Sequence, residues 1–237
     1  MSDAVRGAPI RIAHLSGFPS PSREVVGGAN RQIGGRVSLV IVRRLSLVVA
    51  AVLVLALVTF AGAALSSIPI RGTSMEPTLR DGDRIFINPL GSKPEVDRFA
   101  VVVGRFSKNG PQVVKRVIGI PGDMVRIDKI GVRGGVVAVQ PGGTGPWLIV
   151  DNPAWNERWG KASSNCCTPD GKLTSVVTPQ RVPDGQLFLL GDNFAASDDS
   201  RAHGWAPIEF VRAVATWRSY PLSSMGRIAD DVMLKPA

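Results

Sequence analysis

At 237 residues the chain is long enough to bury a full core, and 44% hydrophobic against 20% charged residues excludes a disordered polymer. The formal charge of +9 is uneven: residues 1–44 carry seven Arg against Asp3 and Glu24, a net of +5, which leaves +4 for all the rest. No basic stripe interleaved with aromatics follows, so nucleic acid is excluded as a partner.

Residues 1–35 are rich in Gly, Ser, Pro and Arg without a hydrophobic period, the composition of a disordered basic tail. Arg36, Arg43 and Arg44 then lead into Leu45–Ile70, twenty-six residues without a charge. Its first part, Leu45–Leu65, is twenty-one residues long, close to the roughly 20 a helix needs to cross a hydrocarbon core. Residues 36–70 therefore read as a membrane anchor with its span at about 45–65. The arginines before it put the N-terminus in the cytoplasm and the rest of the chain outside. A cleavable signal peptide competes, because Ala61-Gly62-Ala63 has the small residues of a cleavage site. The length of the run and of the tail favours an uncleaved anchor, and whether Ala61-Gly62-Ala63 is cut stays open.

Beyond the anchor comes Gly72-Thr73-Ser74-Met75-Glu76-Pro77-Thr78-Leu79, where glycine and proline hold a serine on a turn. Short runs then alternate with Gly, Pro, Asp and Asn. Asp83–Asn88, Phe99–Phe106, Val113–Ile120, Met124–Ile130, Val136–Gln140, Gln186–Leu190 and Val211–Tyr220 predict strands, with no long helix among them. Residues 71–237 thus read as an all-β domain of mostly antiparallel coiled sheets or an open barrel, with one transmembrane helix before it. Residues 141–185 are looser and read as an inserted lobe. The glycines at 131–145 lack the Gly-Lys-Ser/Thr ending of a phosphate loop and are turns between strands. Cys166 and Cys167 have no metal-ligand spacing; they are two free thiols or a bridge between neighbours. Trp147, Trp155 and Trp159 fall in the lobe, where packing explains them and the bilayer interface is the alternative. No metal or other cofactor is called for.

A serine needs a partner to take its proton. His203 is the single histidine beyond the anchor, but Gly72-Thr73-Ser74-Met75-Glu76 lacks the second glycine of an esterase elbow and Pro77 opposes a following helix, so His203 reads as a loop residue. Lys115 is the better base. On a strand, Val113, Lys115 and Val117 share one face, where desolvation lowers a lysine pKa towards working pH. Taken alone, Lys115 reads equally as an exposed edge-strand lysine.

The set of motifs resembles the type I signal peptidases, membrane-bound serine proteases that remove signal peptides from exported proteins. Ser74-Met75-Glu76-Pro77-Thr78-Leu79 is similar to the family's nucleophile box, Gly82-Asp83-Arg84-Ile85 to its strand box, and Lys115-Arg116-Val117-Ile118-Gly119-Ile120-Pro121-Gly122-Asp123 to its lysine box. Gly191-Asp192-Asn193 with Ser197-Asp198-Asp199-Ser200-Arg201 is similar to the last box, and the resemblance covers about residues 36–220 in order. It implies Ser74 as nucleophile, Lys115 as general base, Ser197 holding the lysine amine by a hydrogen bond, and Asp199 with Arg201 as a bracing ion pair. Asp192 and Asn193 shape the turn before Ser197. Gly72 stands where some members have an oxyanion-binding serine, which leaves the Ser74 backbone N–H as the main donor. Met75, Ile85 and Val113 are candidates for lining substrate pockets, or are core. The implied substrates are preproteins with Ala-x-Ala before the cut, met at the lipid bilayer and with the secretion translocon as a further partner. A specialised Ser/Lys maturation peptidase of a conjugative or secretion system is the alternative. So is an inactive membrane-anchored scaffold, which has no reason to retain Ser74, Lys115 and Ser197 together.

Overall fold

A computed structural model of the chain describes residues 31–87, 96–129, 135–155, 165–229 and 231–237. It divides into two units, Met1–Leu55 and Ala56–Ala237. Residues 1–30, most of the stretch read as a tail, lie outside the described residues.

The described part of the first unit is helical. Helix α1 (Arg31–Leu65) continues into the start of the second unit and contains Ser38–Gly62, 25 residues of mean hydropathy 2.7 with no buried side chain. A helix apolar all round and covered by nothing is suited to lipid, not to a soluble core. Its hydroxyls fit that setting. Ser46 Oγ donates to Val42 O and Thr59 Oγ1 to Ala56 O, each at 2.9 Å, so neither polar group is left over.

In the second unit β1 (Ser67–Pro69) and β2 (Arg84–Phe86) flank the loop carrying Ser74. The hairpin β3 (Val101–Gly104) and β4 (Val113–Gly119) follows, then β5 (Met124–Lys129), β6 (Gly135–Gln140) and β7 (Leu148–Asp151). Short β8 (Asn165–Cys166), β9 (Leu173–Thr174) and β10 (Gln180–Arg181) lead to β11 (Gln186–Leu190) and one helical turn, α2 (Ser200–His203). The chain closes with β12 (Ala206–Pro207), β13 (Ala213–Ala215), β14 (Trp217–Tyr220), β15 (Gly226–Arg227) and β16 (Met233–Pro236). They make three sheets in the orders β1-β2-β14-β15, β12-β11-β4-β3-β13 and β16-β7-β6-β5-β8-β9, with β10 also on β5. Every pairing among the described residues is antiparallel.

Two details differ from the sequence pattern. The run Val211–Tyr220 is two strands, not one: β13 pairs with β3, and after Thr216 the chain passes to another sheet where β14 pairs with β2. Residues 141–185 are not only loops, because β7, β8, β9 and β10 hydrogen-bond into the sheet built on β5 and β6. Strands of two residues are too short to show an alternation.

Apolar side chains gather in three clusters. Ile70, Met75, Leu79, Ile85, Val101 and Val103 pack beneath the turn that carries Ser74. Val102, Val117, Leu187 and Leu189 cover one face of the β4 sheet. Ile118, Val125, Ile127, Val139 and Phe188 fill the third, together with Trp155, Cys166 and Cys167. Trp155 is 1% exposed, with the Arg116 guanidinium 5.3 Å from its ring centroid, so it cannot meet a bilayer. Trp147 lies under Arg126 at 4.4 Å, and Trp159 is outside the described residues. Cys166 and Cys167 are joined in a disulfide between neighbours.

Candidate active site

The turn holding Ser74 is fixed from both ends. Glu76 N–H donates to Thr73 O at 3.1 Å and Leu79 N–H to Met75 O at 2.9 Å, while Met75 and Leu79 anchor the turn in the core. Gly72 has φ +79°, a conformation that favours glycine, and its N–H is taken by Asp81 Oδ1 at 2.7 Å. Gly72 therefore has neither a side chain nor a spare N–H for an oxyanion. The Ser74 backbone N–H has no partner among the described residues.

Lys115 sits mid-way along β4, between β3 and β11, which excludes an edge strand. It is 4% exposed and its register partner is Val102, a member of the same apolar cluster as Val117. Its Nζ lies 2.8 Å from Ser74 Oγ, bringing together two side chains 41 residues apart. Burial is the largest influence on the amine and holds its pKa below the ordinary 10.5. The carboxylates of Asp199, Asp198 and Asp192 pull upward, and Arg201 downward.

The other predicted residues surround this pair. Asp199 accepts from Arg201 Nε and Nη2, each at 2.8 Å, and from Gly191 N–H at 3.0 Å. Asp199 is fully buried and Arg201 7% exposed, so the pair is internal and ties α2 to the end of β11. Ser200 Oγ adds a second tie by accepting Leu189 N–H at 2.9 Å. Ser197 departs from its expected role. Its Oγ is buried without a hydrogen-bond partner among the described residues, and the bond to Lys115 is not made. The hydroxyl instead crowds Gly191, where an added Cβ would come within 2.4 Å of Ser74 O.

Asp192 and Asn193 reach further than their own turn. Asp192 accepts from Arg116 Nε at 2.9 Å and Nη2 at 2.7 Å, with both side chains almost wholly buried. Asn193 N–H donates to Ser74 O at 3.0 Å and its amide Nδ2 to Thr73 O at 3.1 Å. The two strap the Ser74 turn to the strand that carries Lys115. Adjacency in sequence gave no hint of partners 76 and 120 residues away, although an arginine inside a β-branched run does call for a carboxylate.

Two arms of a cleft meet at Ser74 and Lys115. One, of about 360 Å³, is lined by Ile68, Ile70, Met75, Val113 and Val114. The other, of about 510 Å³, is lined by Phe106, Ser107, Pro111, Ala196, Asp198 and His203. Ile85 lines neither arm: it is fully buried in the core. His203 is on α2 at the cleft wall, bonded through Nε2 to Asp198 at 2.9 Å. His203, read from sequence as a loop residue, thus borders the cleft, and Phe106 was not singled out because it is a lone residue whose neighbour comes from another element. Among the described residues no three His, Cys, Asp or Glu side chains gather as a metal would need.

The family described as "Signal peptidase, peptidase S26" matches residues 41–220, three quarters of the chain and all of the residues around Ser74 and Lys115. The chain belongs to the signal peptidase family. It is a serine endopeptidase of that family, with one apolar N-terminal helix fit to span a membrane. Signal peptidase I of Bacillus caldolyticus is 32% identical over 157 residues, which cover 66% of this chain and 80% of that protein. Signal peptidase IB of Staphylococcus aureus is 32% identical over 161 residues, 65% of this chain and 77% of the relative. A crystal structure of a signal peptidase I from Enterococcus faecalis is 25% identical, covers 52% of this chain and 98% of its own, and superposes with a TM-score of 0.36.

Proposed function

We propose that this signal peptidase removes signal peptides from exported preproteins by a Ser74/Lys115 dyad, cutting after small residues in an Ala-x-Ala pattern. The observation that carries this is the 2.8 Å contact between a buried Lys115 amine and Ser74 Oγ. Neutral Lys115 accepts the serine proton as Ser74 attacks the peptide carbonyl, then returns it to the leaving amine. Water, activated by the same amine, releases the acyl group. The Ser74 N–H stabilises the tetrahedral oxyanion. Asp199, Arg201, Asp192 and Asn193 hold the turn and the strand in register, and Ser197 packs against Gly191.

The residues before the cut occupy the arm lined by Met75 and Val113, the smaller of the two. The N-terminus lies in the cytoplasm and the catalytic domain outside it, in keeping with the arginines ahead of α1. There the enzyme meets its preproteins at the bilayer, beside the translocon that delivers them. The test is cleavage of a preprotein by the full chain in lipid, with wild type, Ser74→Ala and Lys115→Ala compared and the cut mapped by mass. A cut after Ala-x-Ala that both variants lose supports the reading; near-wild-type cutting by Lys115→Ala overturns it.

A further inference from the structure

The wider arm of the cleft has a wall that the dyad does not use. Asp198 stands between Ser197 and Asp199, yet its carboxylate is turned outward and its side chain is 74% exposed. His203 Nε2 holds that carboxylate at 2.9 Å, and the imidazole is stacked on Phe106 with centroids 4.8 Å apart and planes inclined by 27°. An exposed aspartate ordinarily samples many rotamers. This one is bonded to a ring that stacks on a second ring from the loop between β3 and β4, which favours one rotamer. The result is a formal negative charge in a set position on the same cavity as Ser74 and Lys115.

Direction along the cleft follows from its two arms. Ser74, Val113 and Lys115 are common to both. If residues before the cut fill the smaller apolar arm, the chain passing the nucleophile leaves through the wider one. Arg71 lines both arms and acts on both sides of the cut, whereas Asp198 lines only the wider arm.

We propose that Asp198, held by His203 and Phe106, is a specificity-determining residue for the first residue after the cut, favouring a basic side chain there and disfavouring an acidic one. This rests on the peptidase reading and on the chain direction it implies. A charge facing the carboxylate across a water-lined cleft at about 6 Å is worth a factor of about three to ten between Lys and Glu at low salt.

The experiment uses three peptides identical through Ala-x-Ala and differing only in the next residue: Lys, Ala or Glu. Full-length enzyme in lipid is assayed as wild type, Asp198→Asn and Asp198→Lys, and the quantity read is the Lys:Glu ratio of kcat/KM within each enzyme. Any general loss of activity cancels in that ratio. The expected ratio is about three to ten for wild type, near one for Asp198→Asn, and below one for Asp198→Lys. An unchanged ratio in Asp198→Asn, or a wild-type ratio near one, overturns the subsite while leaving the peptidase intact. A wild type that cuts none of the three peptides overturns the peptidase reading, and the subsite with it.

Discussion

Asp192→Ala is the most demanding test of how the site is held. The carboxylate makes two charge-assisted hydrogen bonds to Arg116, at 2.9 and 2.7 Å, and the side chains are 1% and 2% exposed. Removing it leaves a guanidinium pinned by Phe99 O at 2.8 Å and lying over Trp155, so the charge cannot swing out to water. An uncompensated buried charge of this kind costs about 3–5 kcal/mol. Domains of this size have about 5–15 kcal/mol in all. At about 2–4 °C per kcal/mol the melting temperature should fall by about 6–20 °C. The assay is thermal unfolding of the full chain in detergent, followed by tryptophan fluorescence. The double variant Arg116→Met/Asp192→Leu, which removes both charges, should regain most of the loss. A single variant within about 2 °C of wild type would refute the burial argument, since that is how a solvent-screened pair behaves.

Lys115 must be neutral to act as a base, so kcat/KM should rise with pH through a single ionisation that lies below the ordinary lysine value of 10.5. Between its folded pKa and 10.5 the unfolded chain binds this proton and the folded chain does not. Stability owed to Lys115 therefore increases with pH across that window and is lost as pH falls through the folded value. Lys115→Met should be inactive yet more stable at neutral pH, with a flatter pH–stability curve; a Met variant less stable than wild type would contradict the assignment. Gly191→Ala should lower kcat by about tenfold or more with little change in KM, because the new methyl meets Ser74 O at 2.4 Å and Ser197 Oγ at 2.2 Å. Unaltered kcat in that variant would mean the turn moves freely.

Much of the site was legible because its chemistry is local. Glycine at 72 and proline at 77 put Ser74 on a turn, and valines at 113 and 117 put Lys115 in an apolar setting. The strand pattern likewise announced an antiparallel domain. What could not be read depends on pairing across the chain. Whether β4 is central or at an edge is decided by β3 and β11, not by its own residues. Ile85 and Met75 look alike in sequence and are both buried in one cluster, yet only Met75 also borders the cleft. Ser197 and Lys115 were expected to bond, but the amine bonds to Ser74. Trp155 was weighed with Trp147 and Trp159 as an alternative membrane contact because a tryptophan among polar residues carries no sign of which side it faces.

The clamp of Asn193 on Thr73 and Ser74 also bears on the order of assembly. Ser74 and Lys115, the proposed reacting pair, lie in the first half of the chain, but the groups that brace them arrive only with residues 191–201. A ribosome delivers those residues well after Ser74 and Lys115, and closing a loop of more than a hundred residues is a late, cooperative event. An unfinished chain thus carries a serine and a lysine without an aligned dyad. On the proposed mechanism, hydrolysis therefore waits until residues 191–201 have docked.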